Sequence, residues 1–403
     1  MSSKKILPEA TVKGGCRNWS LSPWGMKVCF SADIHGNTDH LRRILRCATE
    51  QGCETVVLGG DLGPRGQGWG HPSEKKRIRD ILPHNNDGSI AWDHADCLTH
   101  MQEGFDRQGQ WFVEEMMPLL EAHRTTVYIM PGNSDWKHHF QPGGTLDKLP
   151  SVGRAYCDDE CNQDSPKVMI INGEGQIFTL RSTGGGPCVP ALALSLVPIS
   201  SHRKKDWERK DWRWQEEQQL EPGASLDGFV SSGHEPGYVK RKRLSAKPGW
   251  DGKLPERSIE TALDEALRDD GEAPGIWFVH CPPRHTVGDL TSRGERVGSV
   301  ALRAAIERHT PMATFHGHIH ESVDQHDGMF KEHIATMNDM GARERKPEEE
   351  AERTRVGTST RDRCTVVSVG NDFRAEAPHV IVFDTDDPGN AVRMKCAKSP
   401  TDF

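Results

Sequence analysis

No stretch of this chain reaches the roughly 18 consecutive apolar residues that a membrane-spanning helix needs. The longest candidate, CVPALALSLVPIS at 188–200, is too short and is broken by prolines. The N-terminus, MSSKKILPEATVKGG, has no apolar h-region, so no secretory leader is visible. A paired-cysteine framework is missing as well. Cys157 and Cys161 stand four apart in YCDDECN, but no second pair follows at zinc-ribbon spacing, and the 11 cysteines read as reduced thiols. Basic charge is not in excess either: 51 Lys and Arg face 59 Asp and Glu, for a net charge of −8. That balance argues against a general nucleic-acid binder, whose domains tend to be basic. No internal repeat is present. The expectation is a soluble, cytoplasmic protein with no membrane partner.

A hydrophobic content of 34% and a mean hydropathy of −0.68 imply a proper core carrying long polar insertions. At 403 residues the chain suits one large domain with insertions, or two domains. Short apolar runs alternate with helix-compatible stretches. MKVCFSA precedes NTDHLRRILRCATEQG, in which Leu41, Ile44, Leu45 and Ala48 fall at helical spacing. ETVVLGG, TTVYIMPGN, GIWFVHCPP and PMATFHGHIH read as buried strands, and RCTVVSVGND and PHVIVFDTDD as closing ones. FDRQGQWFVEEMMPLLEAH, SIETALDEAL with Ser258 as N-cap, and SVALRAAIERH read as helices. Such alternation implies a layered α/β fold. The expected organisation is an extension at 1–25 and a single domain at 26–400, with insertions at about 64–100, 200–257 and 327–362. The last insertion holds the charge run ARERKPEEEAERTR, expected to be solvated or disordered.

Metal-ligand residue types sit just past a buried strand in five stretches: SADIHG, VLGGDLG, YIMPGNSD, WFVHCPP and FHGHIH. Ligands of layered α/β folds bind beyond the carboxyl ends of the strands, so these residues are expected to converge on one crevice. The set is Asp33, His35, Asp61, Asn133, His280, His318 and His320. Each alone is ordinary turn or core chemistry. Together, three Asp or Asn oxygens and four imidazoles suit a pair of divalent ions such as Mn, Fe, Zn or Ni. Lone Mg or Ca, which prefer all-oxygen shells, fit less well.

In order, DIHGN, GDLG, PGNSD, VHCPP and GHIHES resemble the blocks of the calcineurin-like metallophosphoesterases. The stretch from His280 to Ser322 is similar to the branch related to the Icc cyclic-AMP phosphodiesterase. The resemblance implies a four-layer αββα sandwich with a dinuclear centre and a hydrolase acting on a small phosphorylated substrate, a nucleotide among the candidates. It implies that Asp33, His35 and His320 hold one metal, that Asn133, His280 and His318 hold the other, and that Asp61 bridges the two. A bridging hydroxide would then attack phosphorus in line.

One position departs from the pattern. Many family members carry His after the Asn, as general acid toward the leaving group, where this chain has Ser134. Asp135, His138, His139 and His285 are nearby alternatives, with His285 the candidate replacement. A missing acid costs about 10²–10⁴-fold on poor leaving groups, which tilts the expectation toward a phosphodiesterase over a phosphomonoesterase. A nuclease of the same superfamily and a non-catalytic scaffold are the alternative readings. Asp93, Asp96, Cys97 and His100 could share a helical face, but are expected to form a polar border to the crevice. DWERKDWRW is expected to be a lid or packing helix, and VKRKRL a solvated loop.

Overall fold

The computed structural model describes residues 25–65, 82–156, 166–182, 188–200, 204–221, 223–231, 238–244, 257–268, 273–335 and 363–398. The charge run at 342–355 lies outside the described residues. Two sheets carry the fold. In spatial order the first runs Asp387–Lys395, His379–Asp384, Lys27–Ser31, Thr55–Gly59, Thr126–Met130, Val168–Ile170 and Val152–Arg154. The second runs Lys331–Ala335, Arg363–Ser368, Ala313–His316, Ile276–Val279, Cys188–Leu194 and Glu174–Arg181. The strands Lys27–Ser31, Thr55–Gly59 and Thr126–Met130 pair in parallel, as do Ile276–Val279 and Ala313–His316. Parallel strands buried on both faces must be apolar throughout, which is why TVVLG and IWFV read as continuous runs.

The sheets pack face to face. Phe30 of the first sheet lies 5.7 Å from Phe278 and 5.8 Å from Phe315 of the second, and Phe315 stacks on Phe383 at 4.2 Å. The outer face of the first sheet is covered by α1 (Thr38–Glu50), α2 (Ala95–Trp111) and α3 (Met117–Ala122). The second is covered by α4 (Ile259–Ala266) and α5 (Val300–His309). The result is the expected four-layer αββα sandwich. Ser258 and Ser299 cap α4 and α5, each accepting a backbone N–H.

Three local expectations are corrected. The helix expected over 105–123 starts ten residues earlier and widens into a π-turn at Phe112–Met116. Pro118 follows directly and has no N–H to continue the ordinary ladder. DWERKDWRW is not a helix: Trp207 is buried in an extended segment, while Trp214 is exposed. The basic run forms a strand, Val239–Arg243, paired with Asp227–Ser231. Among the described cysteines seven are free and buried, but Cys188 is disulfide-bonded, so the reduced-thiol reading fails there. No described helix is long and apolar enough to cross a membrane.

Candidate metal centre

Because the ligand-bearing strands are parallel within each sheet, their carboxyl ends open on one edge. The first sheet delivers Asp33 and His35, Asp61, and Asn133 from three adjacent strands. The second delivers His280, then His318 and His320, from two. Backbone bonds lock the loops together: the Asp33 N–H donates to Gly60 O and the His35 N–H to Asp61 O, both at 2.9 Å. Asp33, His35, Asp61 and His318 all adopt positive φ, between 49° and 71°, an uncommon conformation for a residue with a side chain. Gly60, at φ 104°, lets the two sheets approach, since a β-carbon there would sit 2.7 Å from His280 Nδ1.

All seven side chains converge. Donor atoms of Asp33, His35, Asp61 and His320, all buried, lie within 4.8 Å of one another. A second set adjoins it. The Asn133 Oδ1 lies 3.1 Å from His280 Nε2 and 2.8 Å from His318 Nδ1. Asp61 belongs to both sets. Its Oδ2 is 3.5 Å from His35 Nε2, and its Oδ1 is 3.3 Å from His280 Nε2.

Charge at the site follows burial and neighbours. Burial opposes ionisation of Asp61, but His280, His35 and the Ser134 N–H hold its carboxyl well below the usual range. Asp33 is pushed up to about 7 by burial, against the pull of His280. Burial also opposes charge on His280, yet Asp61 and Asp33 raise it to about 9. His35 and His320 are held down by burial and by Arg65, His320 to about 3, so both imidazoles are neutral and have a lone pair to offer. Two buried carboxylates, a carboxamide and four imidazoles facing one another form a donor set suited to borderline divalent cations.

The calcineurin-like phosphoesterase family model matches residues 26–248, more than half of the chain. The chain belongs to that family. The matched span holds Asp33, His35, Asp61 and Asn133; the structure brings His280, His318 and His320 to them from beyond it. Solved structures that superpose include a protein of Thermus thermophilus (11% identity, 93% of this chain and 100% of that one, TM-score 0.41). Others are a dimetal phosphatase from Danio rerio (10%, 92% and 99%, 0.39) and an archaeal phosphodiesterase (8%, 92% and 99%, 0.29). No curated protein matches the sequence significantly.

The other residues expected at the site lie apart from the donors. His285 is exposed, and its imidazole makes no hydrogen bond to any of the seven. His139 is buried and bonds Thr145 Oγ1 and Phe105 O; burial brings it down to about 3, against the pull of the Phe105 carbonyl. His138 stacks on Tyr238 at 5.1 Å. The Asp135 carboxylate, raised to about 6 by burial, accepts the N–H groups of Gly132, Gly63 and Leu62, tying the Asn133 loop to the Asp61 loop. Ser134 Oγ lies 3.3 Å from His35 Nδ1. Asp93 and Asp96 are exposed while Cys97 and His100 are buried, so these four do not gather.

Two cations were missed because they fall in segments read as insertions. Arg65 Nη2 lies 3.3 Å from His35 Nε2 and from His320 Nε2, with its guanidinium 4.8 Å from the centre of the Phe373 ring. Its place four residues after Asp61 was the one available signal. The Lys204 ammonium, lowered to about 8 by burial despite the nearby carboxylates of Asp135 and Asp61, donates to the Ser134 carbonyl. Nothing in a single sequence marks that contact.

Proposed function

We propose that this chain is a dinuclear-metal phosphoesterase that hydrolyses small phosphodiesters in preference to phosphomonoesters. The observation that carries the reading is Asp61, whose two carboxylate oxygens face different donor sets. Asp33, His35 and His320 would hold one divalent ion, Asn133, His280 and His318 the other, and Asp61 would serve both. Mn, Fe, Zn or Ni suits these donors. Such ions, when bound, supply Lewis-acid stabilisation of phosphoryl charge and an activated water.

The chain's own residues do the rest. Arg65, half-buried beside the first donor set, brings a fixed positive charge to an incoming phosphoryl group. Its contact with the Phe373 ring sets the guanidinium plane, and that half-buried ring offers a flat wall on which a substrate's planar group, such as a nucleobase, can rest. Asp135 keeps the two loops in register without moving a proton. The preference for diesters rests on Ser134, whose hydroxyl is a weak acid and faces His35. With no strong acid at that position, a leaving group that departs readily is favoured.

The test is hydrolysis of bis-(p-nitrophenyl) phosphate and p-nitrophenyl phosphate with added Mn²⁺, beside Asp61→Ala. Metal-dependent turnover that is lost in the variant, faster on the diester, is the expected result. Equal or faster turnover of the monoester removes the diester preference. Folded wild-type protein with no turnover under any divalent metal removes the enzymatic reading.

A further inference from the structure

Four of the five residues Lys204–Glu208 carry charge, yet all five are at most 5% exposed. Surface runs of this composition are ordinarily solvated, and burying two ammonium groups side by side is at best neutral for stability. Lys205 is accounted for by its ion pair with Glu208 at 2.6 Å. Lys204 instead points at the backbone of the Asn133 loop.

The segment lies extended between two partners. Lys205 N–H donates to Phe229 O at 2.9 Å, and Trp207 O and Arg209 O accept from Val197 and Ile199 at 3.0 and 3.1 Å. From this strap three side chains take up three backbone groups just after Asn133. The Lys204 ammonium donates to Ser134 O and lies 4.7 Å from the centre of the Trp136 ring. The Trp207 indole N–H donates to Asp135 O at 2.8 Å. The Asp206 carboxylate accepts the Lys137 N–H at 3.0 Å and is held in turn by Ser231 Oγ at 2.7 Å.

The far end of the strap grips the other loop of the same donor set. Asp211 accepts Ser299 Oγ at 2.5 Å and the Val300 N–H at 2.6 Å, at the start of α5. Ser299 in turn bonds Pro282 O and the Arg284 N–H at 2.9 and 3.0 Å, just beyond His280. The Asp33 loop is braced elsewhere, by Asn371 on Ala32 O at 3.1 Å and by Asn37 on Phe373 O at 3.0 Å.

We propose that Lys204–Asp211 is a positioning strap for the second donor set, with Lys204 and Trp207 fixing Asn133 through the carbonyls of Ser134 and Asp135. The proposal rests on the dinuclear reading above. Residues that orient metal ligands typically change affinity about 10–100-fold when removed. The measurement is calorimetric titration of Mn²⁺ into the metal-stripped full chain. In a His320→Ala background, where only the second set is whole, Lys204→Met weakens the remaining affinity about 10–100-fold, and Lys204→Arg restores most of it. In a His318→Ala background, where only the first set is whole, Lys204→Met leaves affinity within about twofold, below the range for an orienting residue. If Lys204→Met does not fold, Trp207→Phe, which keeps an aromatic ring but loses the indole N–H and some bulk, replaces it with the same expectations. Equal effects in both backgrounds, or none in either, overturn the strap. Wild-type protein that binds fewer than two Mn²⁺ ions overturns the dinuclear reading instead.

Discussion

Gly132 stands where the two donor sets meet, and adding one carbon there tests the geometry. A β-carbon would lie 2.2 Å from the Asp61 N, 2.3 Å from Asp61 Oδ1 and 2.8 Å from His280 Cε1. Ordinary contact begins near 3.4 Å, so Gly132→Ala forces the Asp61 and Asn133 loops apart by about 1 Å. The nearest obstacle is backbone, which no rotamer change can move aside. Asp61 would then lose its present approach to both His35 and His280. Overpacking of this size costs about 1–3 kcal/mol in stability. A 1 Å misplacement at a reacting centre costs on the order of 100-fold in rate. Gly143→Ala is the control: unlike Gly132 it has positive φ, but its β-carbon would meet nothing within 4 Å. That change costs roughly 1 kcal/mol of backbone strain and leaves chemistry alone. Urea melts and kcat/KM on a model diester, run on both variants, separate the two effects. Gly132→Ala with kcat/KM within threefold of wild type would refute the packing reasoning.

Three other outcomes follow from the electrostatics and exposure. Asp33 near 7 and His280 near 9 must give up protons to become ligands, so Mn²⁺ affinity rises from pH 6 to 9. At pH 7 uptake releases protons, read from calorimetry in buffers of different ionisation heat; pH-independent affinity contradicts this. His139 titrates near 3 when folded and near 6.5 when unfolded, so the unfolded chain takes the proton first. Its contribution is intact above pH 6.5 and lost as pH falls toward 3, about 1.4 kcal/mol by pH 5.5. Urea melts of His139→Gln are expected to lack that share of the slope, and parallel pH profiles would count against it. Exposed His285, replaced by Ala, leaves kcat within about twofold; a loss of about 10²–10⁴-fold would make it the proton donor after all.

The candidate donors were legible because of where parallel strands end. TVVLG, TVYIM and IWFV are unbroken apolar runs, and polar residues directly after such runs have nowhere to go but the common edge of the sheets. Arg65 and Phe373 were not legible, since their meeting depends on a contact between residues 308 positions apart. The charged stretch Lys204–Glu208 misled for a physical reason. Composition speaks of water, but Lys204, Lys205, Asp206 and Trp207 each find a loop carbonyl, an N–H or an opposite charge, and burial becomes affordable only through that tertiary fit. Glu174–Arg181, an edge strand that is only half buried, lacked the continuous apolar signal of its neighbours.

The left-handed backbone of Asp33, His35, Asp61 and His318 carries one last consequence. Each such residue holds the chain roughly 1 kcal/mol above a relaxed alternative. Drift that replaced any of them by glycine would therefore run downhill in folding free energy while emptying the site of its chemistry. A lineage released from catalytic duty would be expected to shed these side chains early. That all four stand together in one sequence, against the grain of stability, is what a working site at these positions would require.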